Sequence, residues 1–311
     1  MDFILGRNNT YALSHNGNLL GHYRTELPPF TMRFEFTNDS YDPTSVSGWK
    51  AGSTWTKVEG VATNQWDWTC QNSNWDYAFE NKFTGAGYVT PGNTVLIEAN
   101  TSFVTSMRNL FAGCSNLVQV SWFDTANVVN MYALFSGCMN LSGTIPLYDT
   151  RNVTDMGSMF SECFHITEVP KYNTKKVTNM GYMFYSCDSI TTVPLFDTSS
   201  VTSMQGMFHD CGSLISVPLF DTHNVVSISA MFENTYPLKS VPLFNTDSMV
   251  YVKRAFNHCY NVESGALALY NRLSAKLPPL EYENYQEAFR DCGRDTVTGA
   301  AELAQIPDDW K

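Results

Sequence analysis

The sequence lacks the features that mark several large functional classes. It contains no run of about 18 apolar residues, so no segment is expected to cross a membrane as a helix. It has no basic run and a formal net charge of −11, which argues against a nucleic-acid partner because the phosphate backbone would be repelled. The first ten residues hold no apolar stretch long enough for a signal peptide, so synthesis in a cytoplasm is expected.

Motifs of catalysis and metal binding are also missing from the sequence. Gly-x-Ser-x-Gly, a P-loop and His-Glu-x-x-His are all absent, and the six histidines lie at no catalytic spacing. No Cys-x-x-Cys or His-x-His pair is available to chelate a metal. We therefore expect no enzyme activity, no cofactor and no metal. A glycan hydrolase whose acidic pair forms only in the folded chain is the least supported alternative.

The chain does contain an internal repeat. The unit is clearest at Ile190–Cys211, which reads ITTVPLFDTSSVTSMQGMFHDC. It returns at Leu141–Cys163, Ile166–Cys187, Leu214–Thr235 and Leu238–Cys259, and it is preceded by Asn100–Cys114 and Leu117–Cys138. One phenylalanine of the unit recurs in steps of 24 residues with a single step of 25, at Phe111, Phe135, Phe160, Phe184, Phe208, Phe232 and Phe256. Repeats of this length predict a solenoid in which neighbouring units close a shared core.

Each unit is expected to contain a short strand and a short helix. Val193–Phe196 is apolar and predicts a strand, although Pro194 removes one ladder donor. Apolar residues at helical spacing then predict a helix, at Val201, Met204, Met207 and Phe208. The Asp-Thr pair between them predicts a turn closed by an Asx side chain that accepts backbone N–H groups.

Seven of the eight cysteines fall three residues after the repeated phenylalanine. They are Cys114, Cys138, Cys163, Cys187, Cys211, Cys259 and Cys292, and Thr235 fills the slot in the one unit that lacks a cysteine. Five of them follow one another in an unbroken column, and an odd number cannot all pair with neighbours. We predict a structural ladder of reduced, buried thiols. The disulfide alternative requires adjacent Cα atoms within about 4.4–6.8 Å.

The predicted fold class is α/β, a leucine-rich-repeat-type solenoid with a cap at each end. We divide the chain into an N-terminal arm (1–30), a β-rich N-terminal cap (31–99), the solenoid (100–260) and a C-terminal cap (261–311). Alternating residues predict strands at Thr31–Thr37, Thr54–Val58 and Trp66–Cys70. The arm contains Asn16-Gly17, a strong hairpin signal. Helices are predicted at Val262–Lys276 and Gly299–Gln305, with one more helical half-unit at Tyr285–Gly293.

The tryptophans of the N-terminal cap admit two interpretations. Trp66, Trp68 and Trp75 are expected to fill the core of this small region, because a small core needs large side chains. The alternative is an exposed platform on which a sugar ring stacks.

The string Asp-Thr-x-x-Val-Thr-x-Met-x-x-Met-Phe-x-x-Cys, complete at Asp197–Cys211, resembles the BspA-like leucine-rich repeats of bacterial surface proteins and of bacteriophage genes. It is most similar to the branch whose units carry Val-Thr-x-Met and Met-Phe. The resemblance covers about Asn100–Cys259, and Asp149–Cys163 has the same spacing. It implies parallel strands with short helices, a surface recognition or adhesion role, and no active site.

A column of large side chains is the candidate binding surface. Lys171 replaces leucine in this column, which indicates that the column faces solvent and that the neighbouring aromatic column faces inward, through a bulge at proline. The binding candidates are Trp122, Leu147, Lys171, Leu195, Leu219 and Leu243. The alternative is that these leucines pack under neighbouring proline rings and bind nothing. An Asp column that binds calcium is a further, weaker alternative.

We expect a non-enzymatic recognition solenoid on a phage virion or a bacterial surface. Its partner would be a cell-surface protein or a glycan, with no nucleic acid and no membrane span. The competing hypothesis is a purely structural component of a phage particle, docked to other virion proteins through the N-terminal arm. The same arm would also permit an oligomer.

Overall fold

The computed structural model describes residues 2–5, 11–15, 18–19, 27–28, 30–59, 61, 63–70, 74–82, 94–276 and 278–311. These residues form a mixed α/β fold. An amino-terminal sheet contains β1 (Asp2–Leu5), β2 (Tyr11–His15) and β3 (Asn18–Leu19), paired antiparallel in that order. The pairing of β2 with β3 is the predicted hairpin, and its predicted turn, Asn16-Gly17, lies outside the described residues.

A second, open sheet has five strands in the order β5-β6-β4-β7-β8. The strands are β4 (Thr31–Phe36), β5 (Ser53–Lys57), β6 (Asn64–Cys70), β7 (Thr94–Asn100) and β8 (Leu117–Val120). All neighbours pair antiparallel except β7 and β8, which are parallel. The three strands predicted from alternation are confirmed. The sheet also crosses the predicted boundary at residue 100, while the division into four domains stays a prediction.

The inner face of this sheet carries the large apolar side chains that the alternation places there. Met32, Phe34 and Phe36 of β4 are at most 1% exposed. Trp66 and Trp68 of β6 are 8% and 0% exposed. Every second residue of a strand points to the same face, so these side chains share one core.

From Asn74 onward, successive units lie side by side and meet at one parallel bridge per unit. Ser203, for example, bridges Asn179 of the preceding unit and Ser227 of the following one. The residues of this column are Asn74, Ser106, Asn130, Asp155, Asn179, Ser203, Ser227 and Tyr251, and Ser240 and Ser264 form a further parallel bridge outside it. The unit at Asn74 was not identified from the sequence, because it stands 32 residues before the next one and breaks the period.

The repeated phenylalanines form one continuous row through the interior. Phe160, Phe184 and Phe208 are fully buried, and their ring centroids are 5.9 and 5.7 Å apart with nearly parallel planes. The stacked row runs through Phe79, Phe111, Phe135, Phe160, Phe184, Phe208, Phe232, Phe256 and Phe289. The shared interior expected from the period is therefore present in the described residues.

Backbone hydrogen bonds join the units along the segment that contains this row, which we call the Met–Phe ladder (residues 180–187 and their equivalents). The N–H groups of Met180, Tyr182, Phe184 and Ser186 donate to carbonyls of the next unit at 2.7–3.0 Å. Between them, the N–H groups of Met183 and Tyr185 donate three residues back, at 3.3 and 3.1 Å, and that of Gly181 donates to the side chain of Asn179 at 2.9 Å. Along the ladder, every second N–H group therefore bonds to the next unit, and the N–H groups between them bond within their own turn.

The short helix predicted in each unit is wrong. Within residues 100–260, all of which are described, the ladder segments are runs of turns. Two residues of each segment have positive φ, as Tyr182 (56°) and Ser186 (52°) do, and an α-helix cannot continue through them. The predicted inward residues are nevertheless correct, since Val201, Met204 and Met207 are 0% exposed.

The short strand predicted at Val193–Phe196 does not form in any described unit, and β8 (Leu117–Val120) reaches only the first residue of the equivalent segment in its own unit. There the N–H of Ser121, just beyond β8, donates to the carbonyl of Leu96 at 3.1 Å. The later units have proline at this position, and proline has no N–H to donate. The equivalent segments of the later units, such as Val193–Phe196, contain no strand, so the predicted bulge at proline has no strand to interrupt.

The carboxyl-terminal part adds three helices: α1 (Ala266–Ser274), α2 (Tyr282–Tyr285) and α3 (Val297–Leu303). α1 and α3 confirm the two predicted helices with shifted ends. The predicted helical half-unit at Tyr285–Gly293 again forms turns, but Phe289 and Cys292 lie in register with the array. Trp310 stacks on Phe289 with ring centroids 6.3 Å apart.

Candidate binding surface

The candidate binding residues all lie on one solvent-exposed side of the array, which we call the Pro–Leu face. It consists of the six column residues and the prolines that precede five of them. The exposed fractions are 53% for Trp122, 60% for Leu147, 50% for Leu195, 63% for Leu219 and 40% for Leu243, and Lys171 is also exposed. The prolines are Pro146, Pro170, Pro194, Pro218 and Pro242, each of intermediate exposure. The leucines are therefore not packed away beneath the proline rings.

The neighbouring aromatic column points inward, as expected. Phe196 and Phe220 are 2% exposed, and their stacked rings have centroids 6.5 Å apart. Each inward aromatic follows an inward valine by three residues, whereas a regular strand would repeat every two. Leu195 lies between the two inward residues and points to solvent. The same arrangement occurs at Val120, Trp122 and Phe123, where Ser121 replaces proline, so the break in alternation does not depend on proline.

One edge of the face is a row of Asx turns. The carboxylates of Asp149, Asp197 and Asp221 each accept the N–H two residues on, at 3.1–3.2 Å. A side-chain hydrogen bond from the same neighbour, Arg151 in the case of Asp149, lowers the pKa of each carboxyl below its usual range. The Asp column is thus committed to its own turns. Within the described residues no group of three or more His, Cys, Asp or Glu side chains is placed to hold a metal.

The threonine after each Asx residue builds a second connection between units that the sequence reasoning did not identify. Thr198 is buried, and its hydroxyl donates to the carbonyl of Asp221 at 2.7 Å. Thr125, Thr150, Thr174 and Thr222 make the same bond to the following unit. The invariance of this threonine across the units was the available signal, because a buried hydroxyl needs a partner.

The two variable residues after Asp-Thr divide into one exposed and one structural position. The second residue of the pair reaches back to the preceding unit: Asn152 donates to the carbonyl of Ala126 at 2.9 Å, and Asn224 to that of Ser199 at 2.8 Å. Only the first position is free of this bridging role.

The carboxyl-terminal helix closes one end of the Pro–Leu face. Arg272 of α1 donates to the carbonyls of Leu243 and Phe244 at 3.3 and 2.9 Å. Lys276 donates to the carbonyls of Thr246 and Asp247. These contacts account for the lower exposure of Leu243 and limit the open face to the units before it.

The cysteine column is a hydrogen-bonded ladder of free thiols in the interior. All eight cysteines are reduced and buried. Six of the seven column thiols, from Cys114 to Cys259, donate to the carbonyl of the preceding unit's phenylalanine, as Cys187 does to Phe160 at 3.1 Å. Thr235 makes the same bond to Phe208 at 2.6 Å, which explains why threonine fits this slot. Burial raises the pKa of Cys187 well above its usual value, so the thiol stays protonated.

The sugar-platform interpretation of the N-terminal tryptophans is wrong. Trp66, Trp68 and Trp75 are between 0% and 8% exposed, so their ring faces are covered by protein. Trp68 packs edge-on against Trp75, with centroids 4.9 Å apart. These rings form the core that meets the first phenylalanine of the row, since Trp68 also packs on Phe79 at 4.6 Å.

Comparison with known proteins identifies one family. A family model described as "Mycoplasma protein of unknown function, DUF285" matches residues 77–193 and, in a second overlapping match, residues 164–268. The two matches together cover more than half of the chain. This family is related to the BspA-like repeat surface proteins. None of the curated proteins compared with this chain matches it.

No helix in the described part of the chain is long and apolar enough to cross a bilayer.

Proposed function

The chain belongs to the DUF285 family, and on that premise we propose that it is a non-enzymatic recognition protein whose Pro–Leu face docks on a partner protein. The observation that carries the proposal is the row of half-exposed large apolar side chains on that face. A contiguous apolar patch of this kind is typical of protein interaction surfaces.

The proposal includes a capped solenoid as the scaffold. It is supported by the parallel bridges, the Met–Phe ladder and the continuous phenylalanine row. At one end of the row Phe34 packs on Phe79, and at the other Trp310 stacks on Phe289, as end caps would. The complete motif at Asp197–Cys211 supports assignment to the BspA-like branch with Val-Thr-x-Met units.

The chemistry of the face favours a protein partner with apolar anchors. A fully buried leucine contributes about 1.5–3 kcal/mol, so half-exposed leucines retain about 1 kcal/mol each for docking. Leu147, Leu195 and Leu219 together would supply about 3 kcal/mol. The exposed Asx turns would form a polar rim along one edge, and Lys171 would add one charged group within the row.

We place this activity on a bacterial surface or a phage particle. The relation of the family to surface repeat proteins supports this location. In the alternative, an assembly component, residues 1–29 would dock into a larger particle and the array would only decorate it.

Binding of the labelled protein to whole bacterial cells tests the proposal. We expect the triple variant Leu147→Ser, Leu195→Ser, Leu219→Ser to bind cells about 100-fold more weakly, because about 3 kcal/mol of apolar docking energy is lost. A matched control replaces Thr191, Thr192 and Ser216, which are exposed and precede the face in their units, with alanine and should bind like the parent.

A second arm separates recognition from assembly. Deletion of residues 1–29 should leave cell binding unchanged. Loss of cell binding in the deletion variant, with full binding by the triple leucine variant, would reverse the proposal in favour of the assembly role. Equal binding by parent and triple variant would also overturn it.

A further inference from the structure

A groove of about 540 Å³ lies on a different part of the array from the Pro–Leu face. Its lining includes Ser203, Gln205, Ser227, Ser229 and Tyr251. These residues belong to three successive units. In each unit they lie at the start of the Met–Phe ladder segment, on its solvent side. None of the lining residues carries a charge.

The groove exists because small residues interrupt two columns of larger ones. Ser203 and Ser227 occupy the position that Tyr251 occupies in the next unit. Ser229 stands between Gln205 and Lys253 in a second column. Among the lining residues, the longer side chains of Gln205 and Tyr251 therefore form the walls, and the serines form the floor.

The floor and one wall present hydroxyl groups that the protein does not use. Ser203 Oγ, Ser229 Oγ and the Tyr251 hydroxyl make no hydrogen bond to any other residue that the structure describes. Ser227 Oγ accepts only one long bond, from the N–H of Ser229 at 3.4 Å. A hydroxyl both donates and accepts, so this surface suits a ligand that is itself rich in hydroxyl groups.

One aromatic ring, that of Tyr251, lines the groove, and a second, that of Tyr182, lies beyond the lining residue Gln205. Tyr251 is 48% exposed and Tyr182 is 38% exposed. The ring of Tyr182 lies over Gly206, where a Cβ would come within 2.3 Å of it. Gln205 Nε2 donates to the Tyr182 hydroxyl at 2.8 Å, which holds this ring in place before any ligand arrives. Little conformational freedom would then be lost on binding.

We propose that this groove binds a short, uncharged oligosaccharide. A pyranose ring has apolar C–H faces that stack on tyrosine and a periphery of hydroxyls that pair with serine and glutamine. Units joined by backbone hydrogen bonds are about 4.8 Å apart, so Tyr182 and Tyr251, three units apart, are separated by roughly 14 Å along the array. That length accommodates several sugar units.

Isothermal titration of the full chain tests the proposal. The probes are chitotetraose, cellotetraose, maltotetraose and mannotetraose, with tetragalacturonate as a charged comparison. We expect at least one neutral tetrasaccharide to bind, and Tyr251→Ser to weaken it about tenfold because a stacking ring is removed. Ser229→Gln should weaken it by a similar factor, because it places on the floor the larger residue found at Gln205.

Both substitutions use residues that the same columns already carry, so the fold should tolerate them, and the unfolding midpoint checks this. Leu219→Ser, on the Pro–Leu face, is the matched control and should leave sugar binding unchanged. The proposal is overturned if no neutral tetrasaccharide binds, if tetragalacturonate alone binds, or if both groove variants bind like the parent. It is independent of the proposed docking function, because the leucine variants and the groove variants report on separate residues.

Discussion

The two sides of each unit differ in how they connect to their neighbours. On the Met–Phe ladder, four N–H groups of residues 180–187 donate to the next unit. On the Pro–Leu face, the N–H groups of Val193, Leu195 and Phe196 make no backbone hydrogen bond within the described residues. The stacked rings and the thiol ladder lie with the first side, while the exposed leucines lie on the second.

The difference shows how one repeat can serve both stability and recognition. The ladder side joins the units through the backbone and buried side chains, so its sequence is constrained. The Pro–Leu side is held by the inward aromatics and the threonine bonds, which leaves its outward residues free to change. A substitution on the ladder side should therefore cost stability, and one on the Pro–Leu face should not.

Alkaline pH should have the largest effect on the ladder side. Burial raises the pKa of six column thiols, those of Cys138, Cys163, Cys187, Cys211, Cys259 and Cys292. Below about pH 8.5 the thiols are neutral in both states; above it the unfolded thiols ionise while the native ones stay protonated. The free energy of unfolding should fall as pH rises, by about 1.4 kcal/mol per thiol at one pH unit above 8.5. Urea titrations between pH 7.5 and 9.5 measure this loss.

A triple replacement of the column thiols controls for other alkaline effects. Cys163→Thr, Cys187→Thr and Cys211→Thr place in three slots the residue that Thr235 already provides. The pH dependence of the triple variant should be clearly shallower than that of the parent. An identical dependence in both proteins would show that the buried thiols do not carry the effect.

Removing one ring of the phenylalanine row should have the next largest effect. Phe184 is 0% exposed and stacks on two row neighbours, so Phe184→Ala should destabilise the protein by about 3–5 kcal/mol. Leu195→Ala, on the Pro–Leu face of the next unit, should change stability by no more than about 0.5 kcal/mol. Urea unfolding of both variants gives the comparison, and equal losses would refute the distinction between the two sides.

The sequence predicts which residues point inward better than it predicts the backbone. The period places Phe160, Phe184 and Phe208 in one row, and the spacing of Val201 and Met204 identifies the buried side chains correctly. The same spacing predicts a helix, because helices and this ladder both return to the interior after three residues. Burial periodicity alone does not separate the two.

The sequence signal that distinguishes the ladder from a helix lies at the positions with positive φ. Two residues after the row phenylalanine, six of nine units have Gly, Asn or Asp, as at Gly113 and Asp210, whereas two residues before it only Asn109 and Gly206 are of these types. These residue types adopt positive φ most readily. Tyr182 and Arg254 occupy the same positions and hide the pattern. The sequence did not indicate the groove beside Tyr251, because the groove depends on which small residues lie next to one another in neighbouring units.

The slot of Thr235 offers a smaller and more specific test of the ladder. Thr235→Val keeps the shape but removes the hydroxyl that donates to Phe208, and it should cost about 1 kcal/mol. The carbonyl of Phe208 still accepts the N–H of Cys211 at 3.3 Å, which limits the loss of stability. Thr235→Cys restores a donor and should recover most of the stability. If the cysteine and valine variants are equally stable, the thiol bonds contribute nothing measurable.

The acid side of the pH profile should show the smallest effect, because it involves the exposed edge of the Pro–Leu face. Hydrogen bonds from Ser199 lower the pKa of Asp197, so its stabilising contribution is present above about pH 3.9 and is lost as pH falls through the depressed pKa. Asp197→Asn keeps the acceptor for the Ser199 N–H, as Asn173 and Asn245 do in their units. The Asp197→Asn variant should change the free energy of unfolding at pH 7 by no more than a few tenths of a kcal/mol, and its stability should fall slightly less on acidification than that of the parent. Asp197→Ala removes the acceptor and should cost about 0.5–1 kcal/mol at pH 7. Urea unfolding at pH 7 and pH 3 measures both, and a large loss in the asparagine variant would mean that this edge depends on charge and not on the turn.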